Sequence, residues 1–161
     1  MKTILRRLAV AAAVVVTAGL IGAPTALASG EHGGGGGQTI LRADLAGSLP
    51  TDPALFGVAP GGAPWVIGDG EARLRHDGRL DVRVEGLILT STGANPVTQL
   101  AASVACNGAV VATTAVVPFS TTGDAEIHST VALPERCIAP VVLLNPRGNA
   151  AVYIAVTGVE A

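Results

Sequence analysis

The residues whose chemistry is easiest to interpret are Cys106 and Cys137, the only two cysteines of the chain. Two cysteines in an exported chain form a disulfide by default, because the compartments outside the cytoplasm are oxidising. We therefore predict a Cys106–Cys137 disulfide. A pair of reactive free thiols is the alternative.

Histidine is the usual route to a metal ligand or a general base. His32 lies in a glycine-rich stretch, His76 in a predicted turn, and His128 on the charged face of a predicted strand. No His-x-His or His-x-x-x-His spacing occurs, so we predict no metal site and no cofactor. One narrower alternative is a Cu(II) chelate at an N-terminal Gly30-Glu31-His32, which requires cleavage after Ser29.

The sequence contains no recognisable arrangement of catalytic residues. It contains no Gly-x-Ser-x-Gly motif for a nucleophilic serine. Carboxylate pairs for glycoside hydrolysis, or a calcium site near Asp69-Gly70-Glu71, are conceivable among six acidic residues. These are Asp69, Glu71, Asp77, Asp81, Asp124 and Glu126. We predict that they belong to a solvated sheet face and to turns, that there are no catalytic residues, and that the chain is not an enzyme.

The N-terminus has the pattern of an export signal. Basic residues precede an uncharged stretch, Leu8 to Ile21, that is shorter than the roughly 20 residues of a membrane span. Ala26-Leu27-Ala28 has the small-x-small cleavage pattern. We predict a signal peptide over residues 1–28, cut between Ala28 and Ser29. An uncleaved signal anchor is the alternative, and the Arg6-Arg7 pair leaves the twin-arginine route open beside the general secretory route.

The mature chain would be acidic and would not span a membrane. It keeps seven Arg and no Lys against twelve Asp and Glu, a net charge of −5. Such a chain gains nothing from neutralising phosphates, which argues against nucleic-acid partners. Residues 29–38 include five consecutive glycines and predict a flexible tether. Residues 39–161 are long enough for one domain with a modest core.

Apolar and charged residues alternate most clearly from Glu71 to Leu89. A two-residue turn would mix the two faces of this hairpin. A three-residue loop, His76-Asp77-Gly78 with Gly78 left-handed, pairs Leu74 with Leu80 and keeps the faces separate. It also places opposite charges across the strands.

Further strands follow at the spacing typical of a β-sandwich. Asn107-Gly108 predicts a type I′ hairpin turn between Val97–Cys106 and Ala109–Val117. The remaining expected strands are Ile40–Leu45, Trp65–Ile67, Asp124–Leu133, Val141–Leu144 and Ala150–Val159. The fold class we predict is all-β, a single antiparallel β-sandwich of about 7–8 strands with one disulfide, Ig-like in layout.

Several short motifs resemble the opening half of a CHRD domain, a β-sandwich module of extracellular proteins. They are Leu45-Ala46-Gly47, Gly70-x-Ala72-x-Leu74, Asp77-Gly78-Arg79-Leu80-x-Val82 and Gly86-Leu87. The family's His-x-His, Asn-x-His-Thr and Gly-Glu-x-Arg-Gly segments are missing, so no role of those residues carries over. The layout also resembles small uncharacterised secreted actinobacterial β-sandwich proteins, through Ala102 to Cys106, Leu133 to Pro140 and Ala155 to Gly158; that resemblance implies no activity.

We therefore expect a non-enzymatic secreted or envelope-associated module that contacts an extracellular protein or a cell-surface component. The alternative is a small secreted inhibitor or ligand-binding protein that presents a loop such as Val117–Thr122. A hydrolase is a further alternative. Trp65 is the best candidate for an exposed aromatic contact, but we favour the interpretation that it caps the sandwich.

Overall fold

A computed structural model of the chain describes residues 37–158. The expected signal peptide, its cleavage site between Ala28 and Ser29, most of the glycine-rich tether, and His32 lie outside these residues. The described part is all-β and contains no helix. It accordingly has no helix that is long and apolar enough to cross a membrane.

The strands are short and follow one another closely. They are β1 (Thr39–Gly47), β2 (Ala59–Pro60), β3 (Trp65–Val66), β4 (Asp69–Arg75), β5 (Arg79–Glu85), β6 (Ile88–Leu89), β7 (Gln99–Cys106), β8 (Ala109–Thr113), β9 (Val117–Pro118), β10 (Ala125–Thr130), β11 (Val141–Pro146), β12 (Val152–Tyr153) and β13 (Ala155–Thr157). Eight of them form one antiparallel path in the order β10-β5-β4-β1-β13-β11-β7-β8, and β9 also pairs with β7. The predicted antiparallel sandwich with one disulfide is confirmed.

This sheet curls into a sandwich because β1 belongs to both of its halves. The first part of β1 pairs with β4, and its last three residues, 45–47, pair with β13. The inner faces of β4, β5 and β10 then meet those of β7 and β11 around one core. Leu74, Leu80 and Leu100 are among the fully buried side chains of this core.

The β4–β5 hairpin has the predicted register. Leu74 pairs with Leu80, Arg73 with Asp81, and Gly78 has a φ of +84° in the three-residue loop. Because side chains alternate between the faces of a strand, this register sends every apolar residue inward and every charge to solvent. The neighbouring strand β10 continues the same division of faces.

The disulfide is present at the other end of the molecule. Asn107 and Gly108 both have positive φ, as a type I′ turn requires, and Cys106 pairs with Ala109 across the hairpin. Cys106 is bonded to Cys137, and Asn107 N–H donates to Ile138 O at 2.9 Å beside it. The loop before β11 is therefore fixed to the turn as the sequence predicts.

The half of the sheet that contains β7, β11 and β13 is covered on both faces. A second apolar cluster lies on its outer side, where Leu143 and Tyr153 pack against Leu55, Phe56 and Val58. The last three belong to residues 49–58, which we call the covering loop. A sheet with two apolar faces needs such a cover, because without it Leu143 and Tyr153 would be exposed to water and their burial would not stabilise the fold.

Two expected strands are interrupted in the structure. The strand predicted over Ala109–Val117 ends at Thr113, and Thr114 uses its hydroxyl to accept a hydrogen bond from Ala102 N–H at 3.0 Å. The strand predicted over Ala150–Val159 is split at Ile154, whose N–H donates to Leu144 O. In both places a side chain or a change of partner replaces the regular ladder.

Candidate functional site

The acidic residues that could have formed a catalytic pair lie on the outer face of β4, β5 and β10. Glu71 Oε2 accepts a hydrogen bond from Arg42 Nε at 2.7 Å. Asp81 Oδ1 lies 2.9 Å from His128 Nδ1, and this hydrogen bond raises the pKa of His128. His128 is 70% exposed in its side chain, so the pair sits in water. Both carboxylates are balanced by a basic neighbour on open surface.

Glu126 and Asp69 lie on the same exposed part of the molecule. Glu126 Oε1 is 3.9 Å from Arg83 Nε, and Arg83 forms a second ion pair with Glu85. Asp69 is exposed opposite Glu85 at the end of the β4–β5 ladder. Both side chains are exposed, so neither has the apolar surroundings that general acid catalysis by a carboxyl group uses.

Asp77 and Asp124 are turn residues. A backbone hydrogen bond from Arg79 is the main cause of the lowered pKa of Asp77. The Thr122 hydroxyl donates to Asp124 at 2.6 Å, Gly86 N–H donates to it at 3.0 Å, and these bonds lower the pKa of Asp124. Both carboxylates are hydrogen-bonded as anions, which suits a structural role in a loop.

The histidines are separated in the described chain. His76 is exposed in the β4–β5 loop, where its backbone N–H donates to Gln38 O at 2.8 Å. His128 pairs with Asp81 as described. Within residues 37–158, no group of three or more His, Cys, Asp or Glu side chains is placed to hold a metal ion.

The loop expected to present an inhibitory segment, Val117–Thr122, is a corner that leads from β9 to β10. Phe119 is buried in the main core, and its N–H donates to Thr98 O. Ser120 and Thr122 are hydrogen-bonded to each other, with their hydroxyl oxygens 2.8 Å apart. A short polar tip therefore remains at the surface.

A cleft of about 560 Å³ lies between the covering loop, β3 and β13. We call it the apolar cleft. Leu49 and Val66 line it and are 47% and 39% exposed. Leu55 and Val156 line it as well. This volume lies within the range of about 300–1,000 Å³ that is typical of binding sites, and apolar walls are typical too.

Two polar side chains line the apolar cleft. Tyr153 is buried at the cleft, and its hydroxyl donates to Pro53 O at 2.9 Å. Burial raises the pKa of Tyr153, and the charge of Asp52 adds to the shift. Asp52 Oδ2 accepts a hydrogen bond from Leu49 N–H at 2.7 Å. The lining therefore carries one negative charge, which favours a partner with a basic group.

Trp65 separates the apolar cleft from a second cleft. It is 5% exposed, and it belongs to the walls of both. The second cleft measures about 300 Å³ and lies beside the β11–β12 turn, where Arg147 is found. We call it the Arg147 cleft. Trp65 thus caps the core, as one interpretation of the sequence had it, and it also borders both concavities.

Sequence reasoning did not identify these clefts. They are built by the covering loop, the turn after β11 and residues before β3, which have no hydrophobic periodicity. The run Gly61-Gly62-Ala63-Pro64-Trp65 was the one available signal, because small residues before a tryptophan leave a depression next to its ring.

Comparisons of this chain with protein-family models, with curated proteins and with solved structures found no match. The resemblance to CHRD domains and to secreted actinobacterial proteins therefore remains an expectation from the sequence.

Proposed function

We propose that this chain is a secreted or envelope-associated, non-enzymatic binding module that holds apolar side chains of an extracellular protein in the apolar cleft. The observation that carries the proposal is the cleft itself. Leu49 and Val66 are exposed at a concave surface of about 560 Å³ rather than scattered singly. Exposed apolar residues grouped at one concavity are typical of interaction sites.

Charge supports the choice of partner. Asp52 is the one ionisable residue of the lining besides Tyr153. The mature chain that we propose has a net charge of −5. A partner segment that places a lysine or arginine beside its apolar side chains would therefore be attracted over distance and fixed in orientation by Asp52.

The sequence and the disulfide support export. The N-terminal pattern is that of a signal peptide, and the Cys106–Cys137 bond is of the kind that persists in oxidising compartments. The non-enzymatic part of the proposal is supported by the open, charge-balanced setting of the acidic residues. Glu71 and Asp81, for example, each contact a basic side chain on the solvated face.

Export is tested by intact mass measurement of the protein from culture supernatant, with and without reduction and alkylation. The proposal predicts a mass that begins at Ser29 and is two hydrogens lighter before reduction. A full-length mass in the cell fraction, with both thiols alkylated before reduction, would refute export.

The binding site is tested by photo-crosslinking on the secreting cells. A photoreactive phenylalanine analogue is placed at Leu49, at Val66 or at Ile138, which is 57% exposed beside the disulfide and serves as the matched control. We expect the first two positions to give the same discrete adduct and Ile138 to give none. Asp52→Asn should weaken the adduct at low salt. Equal labelling from all three positions, or no adduct from the cleft, would refute the proposal.

A further inference from the structure

The Arg147 cleft differs from the apolar cleft in the charge that it carries. Leu89, Val97 and Ile154 supply apolar walls, and Arg147 is its one ionisable lining residue. Its volume of about 300 Å³ is at the lower end of the range for small-molecule sites. Its dimensions and its charge therefore suit a small ligand that is apolar over most of its length and negative at one end.

The indole N–H of Trp65 is an unused donor at this cleft. The Nε1 edge of the ring faces Gly61 and Ile154, because a Cβ built on Gly61 would lie 3.1 Å from Nε1 and 3.3 Å from Ile154 Cγ2. No residue among 37–158 accepts a hydrogen bond from Nε1. Among fully enclosed polar side-chain atoms of this range, only Asn145 Oδ1 lacks a partner, so Nε1 is not fully enclosed.

Arg147 is a second unused donor. Arg42 and Arg83 on the charged face form ion pairs, whereas the Arg147 side chain, in the turn after β11, forms none with a described residue. Its backbone is left-handed, with a φ of +54°, in the turn between β11 and β12. A bulky residue in that region costs about 1–2 kcal/mol, and such strain is concentrated at functional sites.

The two donors share the property that neither side chain can accept a hydrogen bond. A guanidinium binds a carboxylate through two parallel N–H bonds, and the indole N–H offers one more. A cationic or purely apolar ligand would leave both donors unused.

We propose that the Arg147 cleft binds a small amphiphilic carboxylate, with its carboxylate on the Arg147 guanidinium and the Trp65 Nε1–H and its apolar body against Leu89, Val97 and Ile154. This goes beyond the proposed function, since it concerns another cleft and a small molecule rather than a protein partner. It fails or stands independently of crosslinking at Leu49.

The single tryptophan makes the test direct. Trp65 emission of the oxidised, mature chain is titrated at constant ionic strength with hexanoate, and in parallel with hexanol and hexylamine. These probes share one apolar chain and differ in the head group. We expect hexanoate to change the Trp65 emission in a saturable way, hexanol to bind with an affinity at least about tenfold lower, and hexylamine to leave the emission unchanged.

The variants separate a bound carboxylate from general solvent effects. Arg147→Gln should weaken hexanoate binding about ten- to hundredfold, because a charge-assisted hydrogen bond is lost. Arg147→Lys should restore part of it. Arg136→Gln is the matched control, because Arg136 is also exposed and without an ion pair in the described chain. Equal affinities for hexanoate and hexanol, no saturable signal, or equal loss from both glutamine variants would overturn the proposal.

Discussion

Two turn glycines allow steric overlap to be separated from backbone strain. Gly78 and Gly108 have nearly the same left-handed backbone, with φ values of +84° and +82°. A Cβ on Gly78 would lie 2.1 Å from the carbonyl oxygen of Val131, whereas a Cβ on Gly108 would meet nothing within 4 Å. Gly108→Ala is therefore the matched control for Gly78→Ala.

The expected magnitudes follow from these contacts. Alanine in the left-handed region costs about 1–2 kcal/mol at either position. Gly78→Ala must also displace Val131, whose N–H donates to Gly78 O at 2.9 Å, and the loss of that hydrogen bond adds about 1 kcal/mol. We expect the free energy of unfolding to fall by about 2.5 kcal/mol for Gly78→Ala and by about 1.5 kcal/mol for Gly108→Ala.

Urea unfolding of the oxidised protein, followed by Trp65 fluorescence, measures both values. With a urea dependence of about 1.5 kcal/mol per molar, the midpoints should fall by about 1.7 M for Gly78→Ala and about 1 M for Gly108→Ala. Equal shifts for the two variants would show that the β4–β5 loop does not press against Val131. The same result would leave the left-handed backbone as the only structural reason for a glycine at the third loop position.

Three further outcomes are expected. The double variant Cys106→Ala, Cys137→Ala removes the disulfide, which closes a loop with a sequence separation of 31. In the chain-entropy model this should lower the free energy of unfolding by about 3.7 kcal/mol, which urea unfolding measures. In NMR titrations the pKa of His128 should lie above 6.5 and should fall towards 6.5 in Asp81→Asn; an unchanged pKa in that variant would contradict the hydrogen bond. The stability that the raised pKa contributes is complete below pH 6.5 and is lost as the pH rises through the folded-state pKa. Tyr153→Phe removes a hydrogen bond to a loop carbonyl and should cost about 1 kcal/mol in thermal or urea unfolding, with no loss meaning that the bond is not formed in solution.

The sequence specified the β4–β5 hairpin to the level of residue pairs for a physical reason. Arg73 and Asp81 alternate with Leu74 and Leu80, so a shift of one residue would bury charge. The Asn107-Gly108 turn was equally legible, because few residues tolerate two successive positive φ values.

The covering loop and the clefts could not be predicted from the sequence. Residues 49–58 place Leu55 and Val58 against the sheet without a regular period, because a loop can bury any side chain that its irregular backbone turns inward. The left-handed Arg147 gave no signal either, since glycine or asparagine is the usual residue there. The sharing of β1 between the two halves of the sheet depends on its pairing with β13, which is far away in the sequence.

That shared strand also bears on how the protein comes apart. β1 is a single run of nine residues held by β4 at its start and by β13 at its end. Neither half of the sandwich can melt while keeping its neighbour intact, because each loses an internal strand when β1 is released. The described residues should consequently unfold in one cooperative transition. The native-state resonances of His128, in the charged half, and the native-state emission of Trp65, in the core between the halves, should be lost at the same urea concentration.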